Sequence, residues 1–279
     1  MLRFRYSIIF LFIICSNYIG AQSDYSFKSP YRAFSEGQIY TALEDQAPIY
    51  IAPSTKSMEL TKVPVGTILY IEERMDELHT QNNFKTNWYR VSFTQDRQQE
   101  GFIWGGHIAM QQEIQRDISF AYGLSKIVYT NRGDYSENVM HLKVVMYRDG
   151  ILLDQITFPT IGTLYTKTQL SASNNKGIPN IHSILNIALS DAFCGGISAN
   201  VTVFVHNNNL YYIDLLPNGF GDQRFESKYY IYPEDDQGIT NQVILREEAG
   251  TISKQQQVKY EYQKETYYQW SDYQLIEIN

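Results

Sequence analysis

The chain has 279 residues, enough for two ordinary domains or one large β domain. Charged residues make up 19% and apolar residues 43%, which excludes a disordered chain and a bundle of membrane-spanning helices. The net charge of −7 has the wrong sign for replacing phosphate counterions, which excludes a generic nucleic-acid binder. Tyrosine is over-represented at 23 residues, and aromatics reach 14%, a composition that favours β structure and half-buried surfaces.

Residues 1–21 read as a secretory signal. Arg3 and Arg5 supply a positive start, Ile8 to Cys15 is an unbroken apolar run, and Ile19-Gly20-Ala21 places a small residue at a cleavage point. The run is too short to span a bilayer. Cleavage after Ala21 predicts a secreted or periplasmic protein, with no membrane insertion of the mature chain. That chain keeps 21 basic and 30 acidic residues, net −9, and a single cysteine, Cys194. One cysteine forms no internal disulfide, so stability has to come from the core.

Residues 22–37 read as a polar leader. From 38 to 110, short strand-like runs recur: 66–72 after a turn glycine, 87–93 with alternating pattern, and 101–104. Polar stretches 73–86 and 94–100 separate them, and the unit is expected to be a small antiparallel barrel. The polar segment 110–117 reads as a domain boundary. Beyond it, strand-like segments are expected at 118–124, 139–148, 151–158, 183–190, 200–206, 210–216, 227–232, 242–248, 256–265 and 270–278. Arg148-Asp149-Gly150 and His206-Asn207-Asn208-Asn209 read as hairpin turns. Residues 166–180 read as a long loop. The segment 181–189 fits a helical stripe as well as a strand, and its isoleucines and β neighbours favour strand.

Four pieces in order carry a family resemblance. They are Ala47-Pro48-Ile49-Tyr50 with Ala52-Pro53-Ser54, Val63-Pro64-Val65-Gly66-Thr67, Trp88-Tyr89-Arg90-Val91, and Glu100-Gly101-Phe102-Ile103 running to His107-Ile108. Together they resemble a bacterial SH3 domain over residues 38–110, with Phe102 standing where the family usually has Trp. Residues 118–279 resemble the C-terminal part of secreted bacterial SH3-domain proteins, through Phe120 to Gly123, Ala192 to Gly195, Tyr229 to Pro233, Asp235 to Gly238 and Tyr268 to Trp270. The resemblance implies an all-β protein: a small SH3-like barrel, then a larger antiparallel domain, whether sandwich, open barrel or part of a propeller. It also implies recognition of cell-wall peptide or an envelope protein partner.

Catalytic chemistry is thinly supported. Cys194, in Phe-Cys-Gly-Gly, is a candidate nucleophile, but His107 and His206 belong to no recognisable triad motif, and a small buried thiol explains it better. His79, His107, His141, His182 and His206 are scattered without zinc spacing, and Asp235-Asp236-Gln237-Gly238 lacks the alternation of a calcium loop, so no metal or other cofactor is expected. The pairs Glu72-Glu73, Asp76-Glu77 and Glu247-Glu248 would point to opposite faces of a strand and read as surface charge. The stronger signal is aromatic: Tyr50, Trp88, Tyr89, Phe102 and Trp104 exceed what a small barrel can bury, so some are expected to line a ligand groove. The late tract Tyr260, Tyr262, Tyr267, Tyr268, Trp270 and Tyr273 reads as one face packed inward and one tyrosine-rich face outward. The sequence therefore reads as an exported, non-enzymatic binding protein. A cell-wall cysteine peptidase using Cys194 and a structural accessory subunit of an envelope assembly are the alternatives.

Overall fold

The computed structural model describes residues 27–28, 31–32, 34–93, 98–131, 136–161, 166–190, 197–221, 223–253 and 255–278. The signal-like segment and Cys194 lie outside them. The fold is all-β, and its strands pair antiparallel throughout. A two-stranded ribbon, β1 (Phe27–Lys28) and β2 (Tyr31–Arg32), leads into a six-stranded sheet. Its strands are β3 (Ile39–Thr41), β4 (Ala47–Tyr50), β5 (Glu59–Val63), β6 (Ile68–Gln81), β7 (Phe84–Ser92) and β8 (Glu100–Trp104), in spatial order β3-β6-β7-β8-β4-β5. Ala42, just past one edge strand, and Val63 on the other edge share one buried cluster with Ile49, Leu69, Ile71, Tyr89, Val91 and Ile103, so the sheet curls into a half-barrel. A single 3₁₀ turn, Gly105–His107, follows β8.

A four-stranded sheet comes next: β9 (Gln111–Gln115), β10 (Ile118–Asn131), β11 (Ser136–Arg148) and β12 (Ile151–Thr160), in order β12-β11-β10-β9. The last sheet runs in sequence order: β13 (Lys167–Ser173), β14 (Ser183–Ser190), β15 (Ile197–His206), β16 (Asn209–Gly221), β17 (Arg224–Ile231), β18 (Val243–Ile252), β19 (Val258–Ser271) and β20 (Gln274–Glu277). β9 lies beside β13 and β12 beside β16, so these two sheets face each other. Side chains clasp both seams. The Gln111 amide donates to Leu170 O at 2.9 Å and accepts from Leu170 N at 2.8 Å, as a strand backbone would. On the other seam, Leu210 N donates to the Asp154 carboxylate at 2.7 Å.

The space between is filled by alternate residues, including Phe120, Tyr122, Leu142, Val144 and Phe158 from one sheet and Leu185, Ile187, Val201 and Val203 from the other. The opposite face of β14 and β15 is also covered. Ile184 and Phe204 pack with Tyr232, Val243 and the half-buried Trp270, which the later strands bring over them.

Several expectations are corrected. Residues 111–115 form a strand paired with β10, and Gln111 adds side-chain bonds to Leu170 on the facing sheet. Residues 167–173, expected as loop, form β13: Thr168 and Leu170 are buried while Gln169 and Ser171 face out, a period of two written in small polar residues. The polar stretch 73–86 is a long hairpin turning at Asn82 (φ 54°) and Asn83 (φ 59°), since asparagine tolerates the left-handed conformation. The final turn falls at Asp272-Tyr273, not between 265 and 270. The turns at Asp149-Gly150 and Asn207-Asn208 stand where the sequence pattern puts them, and 183–190 is a strand.

Candidate functional site

Pairing of β7 with β8 sets Trp88 opposite Trp104 and Arg90 opposite Phe102, and β4 sets Tyr50 opposite Phe102. The alternation therefore gathers Tyr50, Trp88, Arg90, Phe102 and Trp104 on one face of the six-stranded sheet. Tyr89 points the other way. It is fully buried in the half-barrel core, where its hydroxyl accepts from Phe34 N at 3.0 Å.

The five aromatics, some of them expected to line a groove, are thus divided. Trp88 (2% exposed) and Trp104 (3%) belong to the same buried cluster as Met110, Ile118 and Phe120, so the following sheet covers them. Tyr50 and Phe102 are half-buried at the margin of that cluster. Burial and the Glu59 carboxylate both push the Tyr50 phenol up from its ordinary value. Arg90 sits beside them, donating to Glu73 at 3.3 Å and to Glu100 at 3.1 Å.

Two histidines that look scattered in the sequence join this face. Ring contacts run from Tyr50 to Trp88 (5.5 Å), Trp88 to His79 (6.0 Å), His79 to Trp104 (5.5 Å) and Trp104 to His107 (5.2 Å). Trp104 Nε1 donates to His79 O at 3.1 Å. At the inner end, Lys143 of β11 pairs with Glu44, an ion pair that ties the two sheets together. No period in the sequence joins these residues. The hairpin of β6 and β7 carries His79 back over the tryptophans, and the 3₁₀ turn after β8 adds His107. Glu73 and Glu100, carboxylates at this face, are both held by Arg90. The contacts suit recognition by stacking and apolar contact.

His107 is held neutral. Burial lowers its pKa from the ordinary value near 6.5, Lys143 and His79 lower it further, and Glu44 opposes them. Its Nδ1 is buried and has no hydrogen-bond partner among the described residues. The unfolded chain takes up a proton that the folded chain resists, so stability is expected to fall as pH drops below the ordinary histidine value. Melting at about pH 7.5 and about pH 5.5 checks this: His107→Gln should reduce the difference between the two midpoints. A difference unchanged in the variant would assign the effect elsewhere. His141, lowered mainly by burial, adds a slope of the same sign.

Compared with family models, curated proteins and solved structures, the chain matches none. The remaining sequence candidates have structural surroundings. Asp235 accepts from Tyr232 N at 3.0 Å and pairs with Lys176 at 3.3 Å, which closes a turn. Glu247 pairs with Lys228, and Glu248 accepts from Gln263 at 3.2 Å. Among the described residues, no group of three or more His, Cys, Asp or Glu could hold a metal ion.

Proposed function

We propose that the chain is an exported, non-enzymatic binding protein whose N-terminal, SH3-like unit recognises cell-wall peptide. What supports the reading is the half-exposed pair Tyr50 and Phe102, side by side on the face whose inner end is sealed. Aromatic side chains offer large contact area at small entropic cost, and the rigid, buried Trp88 behind Tyr50 fixes its ring. The net charge of −9 expected after signal cleavage favours partners that carry free amines over anionic ones.

Sedimentation of the mature chain, residues 22–279, with insoluble cell wall tests this. The wild type should be retained, and the double variant Tyr50→Ala, Phe102→Ala should bind about tenfold more weakly or worse. Equal retention of both proteins would refute the proposal. Retention of neither, with a protein crosslinked through this face in the envelope, would place a protein partner there instead.

A further inference from the structure

The strongest unassigned feature is at the hairpin end of β15, β16, β19 and β20. Tyr273 stacks on Tyr211 with ring centroids 5.5 Å apart and planes 12° from parallel. Trp270 meets Tyr211 edge-on at 5.7 Å, and His206 lies 5.6 Å from Tyr273. Tyr273 is 58% exposed, so its outer ring face is open to solvent.

Among the described non-glycine residues with positive φ, Tyr273 is the one aromatic. Asp272 (φ 48°) and Tyr273 (φ 67°) form the turn between β19 and β20 with both residues left-handed. Glycine or asparagine is preferred there, and a bulky aromatic is a costly choice. Strain of this kind marks sites where the side chain has a use.

The polar surroundings indicate what would bind. The neighbouring turn, Asn207-Asn208, brings the Asn207 amide beside His206, whose ring lies against Tyr273. His206 Nδ1 donates to Asn180 O, which leaves Nε2 to accept from Asn207 Nδ2 at 2.9 Å. Asn207 thereby keeps a carbonyl oxygen and a second amide hydrogen for a ligand. Neutral donors and acceptors beside an open aromatic face suit hydroxyl groups on a ring with an apolar side. The nearby carboxylates of Asp154 and Asp272 disfavour an anion.

We propose that this end of the C-terminal sheet binds a neutral saccharide ring, stacked on Tyr273 and hydrogen-bonded by Asn207. The site is separate from the Tyr50–Phe102 face and does not depend on it.

Titration of the mature chain with chitotetraose and with cellotetraose, read by tryptophan fluorescence, tests the assignment. Trp88 and Trp104 are buried elsewhere, so a ligand here perturbs Trp270. A saturable change is expected with at least one sugar, weakened about tenfold or more in Tyr273→Gly. Glycine suits the turn, so that variant should keep the hairpin, and an unchanged far-ultraviolet spectrum checks that it does. Tyr50→Ala with Phe102→Ala should leave the titration unchanged. No saturable response to either sugar, an equal response in Tyr273→Gly, or a response to a polyproline peptide alone would overturn the proposal.

Discussion

Residues 22–115 produced without the rest of the chain are expected to show no cooperative unfolding transition and to bind hydrophobic dye. Trp88 and Trp104 would lose the cover of Ile118 and Phe120 in their shared cluster. Leu43, Val65 and Ala109 would lose Ala121, Val145 and Tyr147. Backbone bonds from Met110 N to Tyr122 O (2.8 Å) and from Ile127 N to Asn82 O (3.1 Å) would be broken. Lys143 would no longer pair with Glu44. Exposing the two tryptophans alone costs on the order of 4 kcal/mol in apolar transfer, a large share of the roughly 5–15 kcal/mol that holds a domain together. Circular dichroism melts of the fragment and of residues 22–279 decide it. A cooperative fragment melt within a few degrees of residues 22–279 would show that this segment stands alone.

Gly66→Ala is expected to destabilise residues 22–279 by about 2–4 kcal/mol, from left-handed strain plus overpacking. Gly66 has φ +78°, and a Cβ there would lie 2.1 Å from Cε2 of Tyr147, which is itself buried. Gly150 supplies the control. Its φ is +76°, yet the nearest atom to an added Cβ is 3.8 Å away. Gly150→Ala should therefore cost only the backbone share, about 1 kcal/mol. Denaturant midpoints at constant slope measure both. Equal losses at the two positions would mean that Tyr147 moves aside freely, and that the six-stranded and four-stranded sheets are not locked at this contact.

Much of the fold was legible in local pattern. The turns at Asp149-Gly150 and Asn207-Asn208 follow from residues that tolerate positive φ, and strands such as 183–190 follow from apolar runs rich in isoleucine. Polar strands were not legible. β9 and β13 carry glutamine, serine and threonine, and the bonds that join them, between Gln111 and Leu170, cross 59 positions of chain. A local window cannot distinguish such a strand from a loop.

Neighbours along the chain set the β class, most hairpin turns and the alternation that sends Trp88 and Tyr89 to opposite faces, so these are fixed before any tertiary contact forms. Which of those faces stays open depends on packing between sheets. Trp88 and Trp104 are sealed and Tyr50 and Phe102 are left at the margin, because the covering residues come from a different sheet. Packing likewise brings Tyr211 to Tyr273 and His79 to Trp104, contacts set by strand order and sheet geometry rather than by spacing in the chain.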